Sequence, residues 1–202
     1  MENIDYNLIL NGFDFKEIKY LSKLIYFSLK NENFNASLLI KPASNISNYS
    51  LTYAAIKVGK FESAGCLKNI DAIISLDYQS ILNYIPFINK NTVIFSDYSY
   101  FNVCDYFLAD NETVSKKLNE KTANIYKIPL KNIIDLESMG KNKVSPYIAL
   151  LGAFTAKSGL LDVDSVCRQT AMFSKNDAEK KNLIQAILKG YDYITEGGEK
   201  NN

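Results

Sequence analysis

Short apolar runs, most of them closed by a glycine, a proline or an aspartate, alternate with helix-patterned stretches along this chain. That alternation restricts its fold more than any other feature. Residues 6–10 read as a first strand, with a turn at Gly12. Between 15 and 30, Ile18, Leu21, Ile25 and Leu29 recur on one helical face, Lys16, Lys19, Lys23 and Lys30 fall elsewhere, and Asp14 stands where an N-cap belongs. Residues 37–41, ended by Pro42, and 53–58, ended by Gly59, read as two further strands. The run 71–76 has the apolar character of a buried strand, and Asp77 then caps a helix over 78–84, before Pro86. A strand over 92–96, a short strand over 106–109, a helix over 112–119 and a strand over 124–128 stopped by Pro129 continue the pattern. Such an order predicts an α/β fold: a Rossmann-like, doubly wound, mostly parallel sheet.

Beyond residues 140–143 the chain turns helical. Ser145 as cap and Pro146 as first helical residue open a helix that runs to Ser158 and stops at Gly159. Ala149, Gly152, Ala153 and Ala156 leave that helix thin enough for a close neighbour, with packing on the sheet preferred to a ligand groove. Asp162 caps a helix over 163–172, and Asp177 opens one that reaches Tyr193. The expected organisation is one domain over 1–196, its helical end at 146–194, with a disordered tail at 197–202.

Composition limits the chemistry. The 202 residues include no histidine, so the commonest general base and metal ligand is missing, and Ser-His-Asp and Cys-His schemes are excluded. Cys66, Cys104 and Cys167 are odd in number and widely spaced, which argues against a zinc site, an iron–sulfur site or a disulfide framework, and for a cytoplasmic location. With a net charge of +1 and Arg168 as the sole arginine, no nucleic-acid reader is expected; no apolar run reaches membrane-spanning length, and the polar start carries no signal peptide.

The order of the motifs resembles a known family, the gamma subunit or gamma domain of the 2-oxoacid:ferredoxin oxidoreductases of the pyruvate/ketoisovalerate type. The clearest match is Ala149-Leu150-Leu151-Gly152-Ala153-Phe154-Thr155-Ala156-Lys157-Ser158-Gly159-Leu160-Leu161, followed by a closing helix that ends in Gly190-Tyr191. Upstream, Asp71 to Leu76, Ile81 to Tyr84, Thr92 to Asp97 and Ile125 to Pro129 fall in the family's order. The resemblance implies a complex that uses thiamine diphosphate, iron–sulfur clusters and coenzyme A. Its catalytic groups would be carried by alpha- and beta-type partners, and this chain alone would bind no cofactor. It also implies a role in assembly, with contact to coenzyme A and no catalytic residues of its own.

Two departures from the family stand out. Its glycine-rich turn after the first strand reads here Gly12-Phe13-Asp14-Phe15-Lys16-Glu17, keeping only the first glycine. A glycine-rich turn bares backbone N–H groups to a phosphate; a bulky Phe15 and two carboxylates oppose that. Gly12, Phe13 and Asp14 are thus a remnant cofactor-binding turn, or a plain strand-to-helix turn with an aspartate cap, the latter preferred. The loop 42–50 also lacks the family's arginine, acidic residue and glycines.

Other features have ordinary readings. Asp77 and Asp97 end strands, where α/β proteins place ligands, and both are good caps. The aromatic group Tyr98, Tyr100, Phe101, Tyr106 and Phe107 suits a subunit interface better than a stacking surface. Lys116-Lys117 and Lys180-Lys181 read as solvated helix faces, and the cysteines as small apolar residues. The alternative to a subunit is a degenerate stand-alone binding or regulatory module of the same fold; a free-standing nucleotide-binding enzyme ranks below both.

Overall fold

The computed structural model describes residues 4–42, 52–59, 69–97, 111–121, 124–134, 145–197 and 200–201. The expected strand at 106–109, the loop 43–50, the composition shift at 140–143, the aromatic group from Tyr98 to Phe107, Cys66 and Cys104 lie outside them.

The first strand, β1, spans Tyr6–Gly12, and the helix α1 follows at Phe15–Asn31. Asp14 caps α1 as the sequence predicts, its Oδ1 accepting from the amides of Lys16 at 2.9 Å and Glu17 at 3.1 Å. Strands β2, Ala36–Lys41, and β3, Thr52–Val58, pair antiparallel, and β3 also pairs antiparallel with β1, placing Tyr6 opposite Val58 and Gly12 opposite Thr52. A parallel return would need a crossover of a dozen residues or more, which the spacer between β2 and β3 is too short to supply.

From β1 the sheet grows in parallel through β4, Ala72–Ser75, β5, Val93–Asp97, and β6, Asn124–Ile128. Between β4 and β5 the chain forms a 3-10 helix, Gln79–Phe87, instead of the α-helix expected over 78–84. Asp77 caps it as anticipated, accepting from the Ser80 amide at 2.8 Å. Pro86 lies inside this helix and not beyond it; a tight 3-10 coil built from short successive turns tolerates a residue without an N–H. Helix α2, Asn111–Glu120, precedes β6, and a four-residue helix α3, Leu130–Ile133, follows it.

The C-terminal helices are α4, Ile148–Ser158, α5, Val163–Phe173, and α6, Asp177–Thr195. Ser145 and Pro146 do not begin α4. They form a lead-in turn in which the Ser145 carbonyl, and not its hydroxyl, accepts the Ile148 amide at 3.3 Å. Gly159 ends α4 in the left-handed conformation at φ 63°, and Asp162 caps α5 through the Ser165 amide at 3.2 Å, both as expected. Asn176 caps α6 by accepting from the Glu179 amide. Of the segment 197–202, the structure describes Gly197 and a two-residue strand β7, Lys200–Asn201, antiparallel to β6.

The seven-stranded sheet has the order β2-β3-β1-β4-β5-β6-β7, with β3 and β7 running against the rest. Helices cover both faces, as the doubly wound reading requires. On one, Leu8, Leu10, Ile56, Ile74 and Phe95 meet Ile18, Leu21 and Ile25 of α1, with Leu150, Phe154, Val166 and Ile187 of α4, α5 and α6. On the other, Ile9, Ile73, Ile94 and Ile125 meet Tyr78, just before the 3-10 helix, Ile81 within it, and Val114 and Leu118 of α2.

The small residues of α4 make a helix–helix contact, beyond the helix–sheet packing expected of them. A Cβ at Gly152 would overlap the Ile187 carbonyl, and one at Gly190 would overlap the Ala149 carbonyl. Two glycines on facing helices therefore set the α4–α6 distance by backbone contact. Phe154, on the sheet side of α4, meets Phe95 edge-on at 6.0 Å, and Phe95 in turn stacks on Tyr126 at 5.5 Å.

Candidate functional site

The chain leaves β1 through α1 on one face of the sheet and leaves β4 through the 3-10 helix on the other. One route leads to β2 and β3 at one edge, the other to β5 and β6. The β1–β4 border is therefore the point where strand order reverses, and α/β proteins hold ligands beyond the carboxyl ends of strands at such a point. The sequence-predicted turn Gly12, Phe13 and Asp14 lies there, with Asp77 at the end of the neighbouring strand.

Gly12 fits because nothing larger would. A Cβ there would lie 2.8 Å from Leu76 Cβ and 3.5 Å from Asp77 Oδ2. Phe13 and Phe15 are partly exposed, at 41% and 38%. Asp14 is exposed and engages the very amides that a helix N-terminus would offer a phosphate. The remnant turn is thus a capped turn, and its residues do not fit a pyrophosphate group.

A polar cluster that the sequence reading missed lies behind it. Asn11, fully buried, donates from Nδ2 to Ser80 Oγ at 2.8 Å. Ser80 Oγ donates to the Asp77 carbonyl at 2.9 Å, and the Ser75 hydroxyl reaches the same carbonyl at 2.5 Å. Because the Ser80 proton is committed, its oxygen must accept from Asn11, which fixes the orientation of that amide. Asn11 Oδ1 and Asp77 Oδ2 are left buried without a protein partner. The sequence signal was a polar residue at the end of each of two apolar strands, Asn11 before Gly12 and Ser75 before Leu76.

Charge here is carboxylate. Burial pushes the Asp77 carboxyl up to about 6, against the opposing pull of its hydrogen bonds with Ser80. Glu17, in the first turn of α1, is also raised, by burial first and then by Asp14, with the Ser145 hydroxyl acting the other way. Asp97 ends the next strand, 3% exposed, and its Oδ1 takes the amide of Leu130 at the start of α3 over a long 3.4 Å. The cap reading of Asp77 holds; Asp97 reaches an amide 33 residues further along the chain, and the segment it was expected to cap lies outside the described residues. Altogether this edge presents acceptors and favours donor groups over anions.

The remaining candidates disperse. Lys180 and Lys181 are exposed on α6 beside a shallow depression with Ile184 and Leu188, as a solvated face should be. Lys116 and Lys117 are exposed on α2. Cys167 is half-buried, and burial pushes its thiol up. Among the described residues no three acidic, histidine or cysteine side chains come together to hold a metal, and no helix is long and apolar enough to cross a membrane.

A family model described as pyruvate ferredoxin/flavodoxin oxidoreductase matches residues 40–193. No curated protein sequence matches significantly. Among solved structures, the pyruvate oxidoreductase subunit PORC of Thermotoga maritima superposes with a TM-score of 0.70 at 13% identity, covering 93% of this chain and 96% of that one. The gamma subunit of a keto/oxoacid ferredoxin oxidoreductase from Geobacter sulfurreducens gives 0.70 at 12% identity, covering 95% and 99%. The 2-oxoglutarate:ferredoxin oxidoreductase of Magnetococcus marinus, solved with 2-oxoglutarate, coenzyme A and succinyl-CoA, gives 0.71 at 13% identity; this chain covers 32% of it, and 96% of this chain is matched. At these identities the structural likeness establishes the shared fold.

Proposed function

The chain belongs to the pyruvate ferredoxin/flavodoxin oxidoreductase family, and we propose that it serves there as a gamma-type subunit of a 2-oxoacid:ferredoxin oxidoreductase, with a structural and assembly role. The observation that carries this reading is end-to-end coverage: the fold spans nearly the whole of two separate proteins, one a PORC subunit and one a gamma subunit. Partner subunits of alpha and beta type would hold thiamine diphosphate and the iron–sulfur clusters, and would carry the catalytic residues.

The capped turn supports a diverged member. Coenzyme A carries a pyrophosphate, and at the β1–β4 edge Asp14 occupies the amides while Asp77 and Glu17 add carboxylates. Any coenzyme A contact made by this chain would therefore lie away from Gly12, Phe13 and Asp14. The same rewriting favours the second reading, a stand-alone binding or regulatory module.

Native purification followed by mass spectrometry of the intact assembly separates the two. The subunit reading expects the chain to emerge with larger subunits that bear thiamine diphosphate and clusters. Recovery of the chain alone under gentle, low-salt conditions would overturn it in favour of the stand-alone module.

A further inference from the structure

The outward face of α1 carries Lys16, Lys19, Lys23, Phe27 and Lys30. At 3.6 residues per turn these five fall within roughly 80° of arc and extend over about 21 Å. No carboxylate shares that face; Glu17, the acidic residue of the helix's first turn, points to its half-buried side. In a chain of net charge +1 this is a segregated basic stripe.

An apolar group interrupts the stripe. Phe27 is 40% exposed and meets Phe173 of α5 at 5.6 Å, with Phe173 37% and Met172 78% exposed. The two helices run antiparallel here, tied one turn further on by Asn31 Nδ2 donating to Gln169 Oε1 at 2.6 Å. Arg168, the chain's sole arginine, is exposed one turn before Met172. At the ends of this face Asp162, Glu179 and Glu32 are engaged by the backbone amides of Ser165, Lys175 and Asp162, and Asp164 is exposed on α5 one turn before Arg168. The arrangement of exposed aromatics, a methionine and an arginine inside a charged rim is the composition of a protein interface.

We infer that the Lys16–Lys30 face of α1, with Phe27, Met172 and Phe173 as its apolar centre, docks an acidic surface of a partner subunit. This rests on the subunit reading above and names the face through which the chain would join its complex. Charge complementarity selects the partner: a row of lysines without carboxylates is matched by carboxylates flanking an apolar residue. A nucleic acid fits less well, since lysine point charges around three apolar side chains offer neither guanidinium forks nor freely standing stacking rings. A membrane fits less well because the two phenylalanines pack on each other between α1 and α5.

The test co-expresses the full set of subunits with either the wild-type chain or a Lys19→Glu, Lys23→Glu, Lys30→Glu variant, and measures capture of the partners at low and high salt. The variant is expected to assemble at least ~10-fold more weakly at low salt, and wild-type assembly should fall steeply with salt while the variant's stays flat. Phe27→Ser should weaken assembly at every salt concentration. All substitutions are at or near the surface, and an unchanged melting temperature of each isolated variant shows that the fold survives. If the wild-type chain assembles and the triple variant assembles equally well, this face is overturned while the subunit reading stands. If the wild-type chain captures no partner subunit, the subunit reading falls and the docking face with it. Binding of anionic vesicles or duplex DNA by the wild-type chain, lost in the triple variant, would reassign the face and overturn the proposal.

Discussion

The α4–α6 seam and the β1–β4 edge both depend on glycines that tolerate no side chain, yet they are built on opposite principles. At the seam, Gly152 and Gly190 bring two backbones together, every residue from 148 to 155 is buried, and the surroundings are apolar apart from Thr155, whose hydroxyl returns to the Leu151 carbonyl at 2.8 Å. At the edge, Gly12 makes room for Leu76 and Asp77, and the surroundings are a polar network that leaves two buried acceptors without a protein partner. The seam lies within the stretch that matches the family model, and the turn at Gly12 lies outside it. Packing of two helices constrains every residue that touches the contact, whereas a ligand turn constrains its residues only while the ligand binds there. The difference also removes α4 as a partner surface: its small face is spent inside the chain, and α1 and α5 carry the exposed faces suited to docking.

The largest effect should come from the seam. Gly152→Ala or Gly190→Ala drives a methyl group into a backbone carbonyl that cannot yield without separating the helices, costing about 3 kcal/mol or more, or preventing folding. Urea unfolding measures it. The double variant should lose less than the sum, because one displacement of α6 relieves both clashes; full additivity would show that the glycines do not share one contact.

Next is Asp77. Its folded-state carboxyl titrates near 6, above the ordinary value of 3.8, so the folded protein binds this proton more tightly than the unfolded chain does. Stability from this group is therefore complete below about pH 4 and is lost as pH rises through about 6. Asp77→Asn keeps an oxygen for the Ser80 amide and removes the charge. It should leave stability at pH 4 nearly unchanged and raise it at pH 7 by on the order of 2 kcal/mol. Melting temperatures of both proteins across this range decide the matter; parallel curves would show that the carboxyl is not buried as described.

A smaller effect sharpens the reading of the turn. Asp14→Ala removes a helix cap, at about 1 kcal/mol. It also frees the Lys16 and Glu17 amides, so sulfate or phosphate should stabilise the variant while leaving the wild type unmoved. Anion stabilisation of the wild type at this turn would contradict the capped-turn description. Phe13→Ser should change stability by less than about 0.5 kcal/mol, since this residue is partly exposed.

Much of this architecture was legible in the chain. Every strand expected among the described residues forms, within one or two residues of its anticipated ends, and Asp14, Asp77, Asp162 and Gly159 act at the helix termini where they were placed. These features are local: an apolar run, a carboxylate one residue before a helix and a glycine one residue after it act within a few residues of themselves. Ser145 misled because a cap depends on where the first helical turn actually closes, and that turn is drawn to Ile148, the first residue of α4 that is buried.

The candidate site was only half legible. Gly12 to Asp14 could be picked out by its place after the first strand, and Phe15 and the carboxylates by their unsuitability for an anion. Asn11, Ser75 and Ser80 could not, because their meaning lies in a meeting of β1 with a strand more than 60 residues later. The same holds for the basic stripe. Four lysines at helical spacing are visible in the chain, but they look like any solvated helix face. Only the antiparallel contact that sets Phe27 against Phe173 makes an apolar centre for them.

Periodicity, caps and composition thus determined by themselves the alternating α/β order, the absence of histidine chemistry and the aspartate cap at the first strand-to-helix turn, since each acts through residues adjacent along the chain. The tertiary structure alone decided that β3 inserts antiparallel between β1 and β2, that two glycines 38 residues apart lock α4 to α6, and that buried acceptors gather at the β1–β4 border. Each of these is a contact between segments whose approach is set by closing the whole core, and no short window of sequence carries that information.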